Sequence, residues 1–386
     1  MQKVVSSHFL SIHYQRQRRE AIFGVTGSAS VLKLFLMLDK VFSLFTHELG
    51  VDMGTANTNI LVVGKGIAVR EPTVVARNKK SKEIVAVGEE ARRMIGRTPS
   101  QLEAIRPLQD GVISDFDGAA GMLSYYFRQL HQSHGFRVKI PKPKVAIGIP
   151  TGVTDVERKA VADAALSAGA RTVYMIEEPM AAAIGADLPI FEAVGALIVD
   201  IGGGTTELAV ISLGGIVVNK SLRIAGNEMD EAIINFLRLK YSLLIGLPTA
   251  ESLKIQIGST KEFKNKEEKQ TVIRGRDLST GLPRSIRVNS GEIREALFPV
   301  LNQILSAISD IIEQAPPELL GDITQKGIYL TGGISQLPML DELVAETTKI
   351  PCSVIEEPMT VVVRGCGKVL VDEKLLQRTK VTGGVR

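Results

Sequence analysis

The chain has 386 residues, and domains usually run about 100–200, so two large domains are expected. Hydrophobic residues make up 45% and charged residues 23%, an ordinary globular balance. Trp is absent and aromatics are 5%, which argues against an aromatic stacking platform for single-stranded nucleic acid. The two cysteines, Cys352 and Cys366, form no CxxC pair, so no zinc site or disulfide framework is implied, and a reducing cytoplasm is the natural setting.

The net charge of +4 is local. Residues 1–36 hold Lys3, Arg16, Arg18, Arg19 and Lys33 against Glu20 alone, so the rest of the chain is neutral and shows no nucleic-acid signature. This leader is expected to be a disordered or loosely helical extension. Because Met37 reads like a native start, the leader is either an artefact of start-site assignment or a second, basic membrane tether. Residues 21–38 come nearest to a membrane span, which needs about 20 mostly apolar residues, but Thr26, Ser28, Ser30 and Lys33 interrupt them. They also have the outline of a secretory signal. Leu38, Val41, Phe42 and Phe45 lie on one face of a short amphipathic helix, which either rests on a membrane or packs on the body.

Beyond it, apolar runs rich in β-branched residues alternate with helical periodicity. Strands are predicted at 60–63, 145–149, 196–199, 208–211 and 328–331. Phe136, Val138 and Ile140 alternate with Arg137, Lys139 and Lys142, which suits either a lipid-headgroup surface or an edge strand. Helices are predicted at 155–168, with Val156, Ala160, Val161, Ala164 and Ala165 as its apolar face, and at 230–241 and 292–315. Residues 261–290 are polar, charged and glycine-bearing, so a surface subdomain is expected there rather than core. Pro316-Pro317 ends the last long helix. Strands alternating with helices give an α/β fold.

One internal repeat carries the chemistry. Leu49-Gly-Val-Asp52-Met-Gly54-Thr55-Ala56-Asn57-Thr58 is echoed by Ile198-Val-Asp200-Ile-Gly202-Gly203-Gly204-Thr205-Thr206. Each copy is an apolar strand, an aspartate, a Gly/Thr turn and a second strand. The aspartates lie 148 positions apart, about one domain length, so the chain reads as two related halves facing one cleft. A glycine-rich turn lets backbone N–H groups converge on an anion, because no Cβ blocks the approach. An aspartate at each strand end offers hard oxygen suited to Mg²⁺. A single such hairpin is an ordinary turn; two, each led by Asp, point to a clamp on a triphosphate. Neither GxxxxGK[ST] nor a GxGxxG after a strand occurs.

These residues resemble the superfamily of actin, heat-shock chaperones and sugar kinases. Residues 52–58 are similar to its first phosphate loop and 200–207 to its second. Ile176-Glu177-Glu178-Pro179-Met180-Ala-Ala-Ala-Ile-Gly185 is similar to the connecting helix that carries the catalytic carboxylate. Gly332-Gly333 resembles the adenosine motif, and Gly365-Cys366-Gly367 completes five landmarks in the superfamily's order. Longer stretches narrow the resemblance to the MreB/Mbl family of bacterial cell-shape actins, over roughly residues 38–380. They include Gly54-Thr-Ala-Asn-Thr58, Glu71-Pro-Thr-Val-Val75, Ile105-Arg-Pro107, Asp110-Gly-Val112, residues 226–234, Leu278-Ser-Thr-Gly-Leu-Pro283 and Pro316-Pro-Glu-Leu319.

The resemblance implies an actin-like ATPase fold: two duplicated RNase H-like domains around a nucleotide cleft, each with a smaller subdomain. The expected division is IA (37–79, 113–192 and 357–386), IB (80–112), IIA (193–228 and 293–356) and IIB (229–292). It implies ATP and Mg²⁺ as cofactors, with Asp52 and Asp200 holding the hydrated metal and Glu178 orienting the attacking water. Gly54, Thr55, Ala56, Asn57, Gly202, Gly203, Gly204 and Thr205 would hold the phosphates, and Gly332 and Gly333 the adenosine. On the residues alone, Glu178 is also a helix-start carboxylate favoured by the dipole by ~0.3–1 kcal/mol, a role that suits Glu177 better. Glu251 and Lys254, three apart on a helix, resemble the pair that holds the ribose and base edge, and a solvated ion pair accounts for them equally well. Three departures stand out: residues 1–36 have no counterpart in the family's short N-terminus, Cys366 lies between two glycines, and Ile334 stands where the family usually has a third glycine, so Ile334 is expected to narrow the base pocket.

By the same resemblance, the activity is weak ATP hydrolysis coupled to polymerisation. The partners are further copies of the chain, the inner face of the cell membrane and cell-wall elongation proteins, with no nucleic acid. The alternative is a soluble sugar-kinase-like phosphotransferase, which needs another carboxylate as general base and a sugar pocket; no candidate lies outside these motifs. A chaperone of the superfamily would carry a substrate domain after its ATPase, and the chain read here runs only to Arg386.

Overall fold

The computed structural model describes residues 47–132, 143–263 and 268–381. From Glu48 onward they belong to one compact unit. The basic leader, the 38–45 helix and the apolar–basic stretch at 136–142 lie outside the described residues.

The first half is built on β1 (Glu48–Met53), β2 (Asn57–Val62) and β3 (Gly66–Pro72), followed by helix α1 (Phe116–Gln132), β4 (Lys144–Ile149), helix α2 (Asp155–Ser167) and β5 (Thr172–Glu177). Helix α3 (Glu178–Gly185) leads away from this sheet. The second half repeats the plan with β6 (Ala196–Ile201), β7 (Thr206–Ser212) and β8 (Gly215–Leu222). Helices α4 (Gly226–Tyr241), α5 (Leu247–Ile257) and α6 (Ser290–Gln314) follow. Then come β9 (Ile328–Thr331), α7 (Leu340–Thr348), β10 (Cys352–Val354) and helix α8 (Val361–Val371).

The two five-stranded sheets have orders β5-β4-β1-β2-β3 and β10-β9-β6-β7-β8. In each, the first three strands form an antiparallel meander and the last two run parallel to the first. Each meander also has a register shift between its second and third strands, at Ile60/Leu61 and at Val210/Ile211. Strand order, direction and irregularity all repeat, so the duplication read from the loops extends through whole domains. β6 and β7 are buried at every position, which is why they read as continuous apolar runs; the edge strand β8 alternates instead.

Local chemistry sets the helix starts. The Thr154 side chain and Glu157 form a reciprocal capping box at the start of α2. Val156 does not belong to the buried face of that helix, as its spacing suggested: it is 78% exposed, and Ala162 joins the buried set instead. Helix α4 begins at Gly226, four residues before its periodic pattern, because the Ala225 N–H donates to Glu228 Oε2 at 2.7 Å. Helix α6 alone among the described residues is long and apolar enough to cross a membrane, but its stripe of Ile293, Leu297, Leu301, Ile304 and Ile308 is buried in the second core.

Two smaller sheets flank the large ones. Val75–Asn78 pairs with Ile84–Val87 and Leu102–Ile105, so this sheet begins before residue 80. Leu243–Leu244, Gln270–Asp277 and Pro283–Asn289 form the other. The polar 261–290 stretch is therefore not purely surface: Ile273 and Val288 point inward and join the second core.

The halves meet where α3 crosses α8. A Cβ on Gly365 would lie 1.8 Å from the Ala181 carbonyl oxygen, and one on Gly185 would lie 2.0 Å from the Val361 oxygen. Backbone oxygens cannot yield as a flexible side chain does, so these glycines let the helices touch backbone to backbone. Helix α8 also rests on β1 at Gly50, where a Cβ would meet Gly367 N and Val363 O at 2.8 Å. Gly365→Val is expected to cost about 2 kcal/mol or more by overpacking. Gly321→Ala, on an exposed helix with nothing within 4 Å, should instead stabilise by about 0.5–1 kcal/mol. Thermal unfolding of the two variants checks both signs.

Candidate functional site

Each half closes its first hairpin in the same way. Gly54 N–H donates to Asn57 O at 3.0 Å, and Gly202 N–H donates to Thr205 O at 2.9 Å. The turns present Asp52 and Asp200 at equivalent ends of β1 and β6. Seven residues on, the cross-strand neighbour of Asp52 is Asn59 and that of Asp200 is Glu207. This one difference breaks the symmetry. Asn59 Nδ2 donates to Asp52 Oδ2 at 3.1 Å, so burial raises the Asp52 carboxyl only to about 6. Asp200, 8% exposed, is raised to about 8, first by burial and then by the charges of Asp52 and Glu207. Glu207 itself is raised to about 7 by burial, against hydrogen bonds from Ser221 and Thr151.

Glu178 opens α3 at the end of β5. Burial pushes its carboxyl well up, and Glu207, Asp200 and Asp52 push it further. Glu177 is raised by burial alone, against the pull of Arg158. Glu178 thus faces the cluster rather than serving only as a helix-start charge. The two glycine turns abut: a Cβ on Gly203 would meet the Ala56 Cβ at 2.5 Å, and one on Gly204 would meet Thr55 Oγ1 at 2.6 Å. A third turn joins them, where Gly111 N–H donates to Thr55 Oγ1 at 2.9 Å.

All fifteen residues singled out from the sequence line one cavity of about 380 Å³. Asp52, Gly54, Thr55, Ala56 and Asn57 come from the first turn, and Asp200, Gly202, Gly203, Gly204 and Thr205 from the second. Glu178, Glu251, Lys254, Gly332 and Gly333 line it too, and Gly332 packs beside the second aspartate, where a Cβ would lie 2.4 Å from Asp200 Oδ1. Glu251 and Lys254 are not a solvated pair with each other. Lys254, 6% exposed, pairs with Asp230 at 2.8 Å and donates to Gly226 O at 2.6 Å. Burial raises Asp230 to about 6 even against Lys254. Glu251 reaches across the cleft to Arg92 at 3.2 Å, and Asn227 accepts from Arg106 at 2.9 Å. Ile334 is 9% exposed and does wall the cavity: its Cδ1 would lie 3.0 Å from a Cβ on Gly226.

Sequence reasoning missed Asn59, Gly111, Glu207, Asn227 and Asp230 among the lining residues. Asn59 and Glu207 were findable, since both stand seven places after the repeated aspartate. Gly111 and Asp230 sit in stretches noted only as similar to the family, and tertiary folding alone brings them to the cavity.

A family described as MreB/Mbl protein matches residues 46–378. The chain belongs to the MreB/Mbl family. It is 49% identical over 338 residues to the cell shape-determining protein MreB of Escherichia coli strain K12, covering 86% of this chain and 96% of that protein. MreB5 of Spiroplasma citri, solved bound to ADP, superposes with a TM-score of 0.79 at 34% identity, covering 86% of this chain and 98% of that one. The same protein has also been solved bound to AMPPNP. The MamK double helical filament, at 23% identity and a TM-score of 0.71, covers 85% of this chain and 99% of that one and shares the fold. The fold is that of the actin-like proteins.

The raised carboxylates give a pH dependence of defined sign. A group whose folded pKa lies above its unfolded value binds more protons when folded, so stability falls as pH rises between the two values. For Asp200 that window runs from 3.8 to about 8. Without nucleotide or divalent cation, Asp200→Asn should be more stable than the parent at pH 8, with the gap closing towards pH 4. Denaturant midpoints across that range measure it.

Proposed function

We propose that this protein binds and hydrolyses Mg-ATP and polymerises into membrane-associated filaments that organise cell-wall elongation and so determine cell shape. The observation that carries the reading is the convergence of two glycine turns and the carboxylates Asp52, Asp200 and Glu178 on one cavity. The names of the relatives, a cell shape-determining protein and proteins bound to ADP or AMPPNP, support it. So does the filament formed by the more distant MamK.

The residues fit a hydrated Mg²⁺. Asp52 and Asp200 offer one hard oxygen group from each half, and their mutual repulsion is what a divalent cation relieves. Such an ion would be held by one or two carboxylates plus the phosphates of the nucleotide. When bound, the ion would neutralise triphosphate charge. The turn N–H groups of both halves face the phosphates, and their glycines allow the close approach. Glu178 orients the attacking water, since phosphoryl transfer asks mainly for positioning and charge stabilisation. Glu251 and Lys254 hold the ribose and base edge, with Asp230 fixing the Lys254 ammonium. We divide the chain into subdomains IA, IB, IIA and IIB around this cleft, and place it on the cytoplasmic face of the cell membrane.

Glu178→Ala should retain ATP binding and slow hydrolysis by about 10²-fold or more, because only the water loses its orienting group. Unchanged turnover with intact binding removes Glu178 from the mechanism. Light scattering on ATP addition, set against assays for glycerol or hexose phosphorylation, separates a filament protein from a sugar kinase.

The membrane part of the reading rests on residues 38–45. Each buried phenylalanine contributes little alone, and a polymer multiplies the effect through effective concentration. Polymers should sediment with anionic liposomes, and Phe42 and Phe45 replaced together by Ala should reduce that binding. Undiminished sedimentation moves the anchor elsewhere, with Phe136 and Ile140 the next to test.

A further inference from the structure

Glu207 is the cavity carboxylate that the mechanism above leaves without a task. It is 1% exposed, and both of its oxygens are engaged. Oε2 accepts from the Thr151 backbone N–H at 3.0 Å and from Thr151 Oγ1 at 2.5 Å, and Oε1 accepts from Ser221 Oγ at 2.5 Å. Ser221 lies on β8 in the second half, whereas Thr151 lies just past the end of β4 in the first. One side chain thus clips the first half's strand end to the second half's sheet.

That strand end is the ground on which the catalytic geometry rests. A Cβ on Gly148, the penultimate residue of β4, would lie 3.4 Å from Glu178 Cγ, so the Glu178 side chain lies directly over this glycine. Pro150, between Gly148 and Thr151, backs onto Gly111, whose missing Cβ would lie 2.8 Å from Pro150 Cγ. Gly111 in turn donates to Thr55 in the first turn. The hydrogen bonds on Glu207 therefore hold the segment that sets the positions of Glu178 and of the first turn.

We propose that Glu207 is a positioning residue for ATP hydrolysis, acting through its hydrogen bonds to Thr151 to fix the end of β4 beneath Glu178. The inference rests on the ATPase reading. Misplacing a reacting group by about 1 Å can cost on the order of 10²-fold in rate, so a loosened β4 end lowers turnover while the glycine turns still bind nucleotide.

The test is steady-state hydrolysis and ATP affinity of the full chain carrying Thr151→Val, Thr151→Ser, Glu207→Gln or Glu207→Ala. Thr151→Val removes one of the two bonds to Oε2 and keeps the backbone one, so kcat should fall roughly tenfold with Kd for ATP within about twofold. Thr151→Ser restores the hydroxyl and should restore kcat. Glu207→Gln keeps an acceptor for Thr151 and should retain most of kcat, whereas Glu207→Ala loses every tie and should fall about 10²-fold. The proposal is overturned if Thr151→Val keeps parental kcat, if kcat and Kd worsen by the same factor, or if Glu207→Gln is as slow as Glu207→Ala, which would assign the effect to charge. Absence of turnover in the parent protein refutes the ATPase reading and the inference with it; parental turnover with insensitive variants refutes the inference alone.

Discussion

Like charges confined to one cavity repel, and much of the fold serves to hold them there. Asp52, Glu178, Asp200 and Glu207 come from strands and a helix of both halves, and burial raises all four carboxyls. Unaided, such a cluster destabilises the folded state, because carboxylates removed from water and set beside one another resist ionisation. The sheets compensate through packing. β6 and β7 are buried at every position and β1 at most of them, so the aspartates and Glu207 are anchored on packed strands. A site strained in this way is also one that a cation and an anionic ligand relieve.

The duplication explains how one chain builds a cavity with two faces. Each half supplies the same meander, the same turn hydrogen bond and the same strand-end aspartate. The single exchange of Asn59 for Glu207 at the paired position then makes the halves unequal. One aspartate receives an amide donor and the other a second carboxylate. The crossing of α3 and α8 joins the halves with backbone against backbone, and Glu207, Arg106 and Arg92 add ties across the cleft itself.

The fold class and most of the site were legible in the sequence because both are written in local patterns. A buried strand ending in Asp and followed by a Gly/Thr turn is a continuous string, and its repetition at domain spacing announces two halves. What escaped is what only tertiary contact specifies. The pairing of Lys254 with Asp230 joins residues 24 positions apart on two helices, and nothing in the helical spacing of Glu251 and Lys254 reveals it. Val156 has the periodicity of a buried residue, yet it sits in the first turn of its helix and is exposed. The inward face of the 270–289 hairpin was hidden by the polar residues that surround Ile273 and Val288.

The central claim is that the opposed aspartates and glycine turns form a site for a metal-bound triphosphate. Calorimetric titration of ATP into the protein, with Mg²⁺ present and with Mg²⁺ removed by chelator, tests it most directly. Repulsion between the buried carboxylates and an unneutralised triphosphate predicts that affinity falls by at least tenfold without the ion, about 1.4 kcal/mol. Equal affinity with and without Mg²⁺, or no heat of binding in either case, would contradict the account.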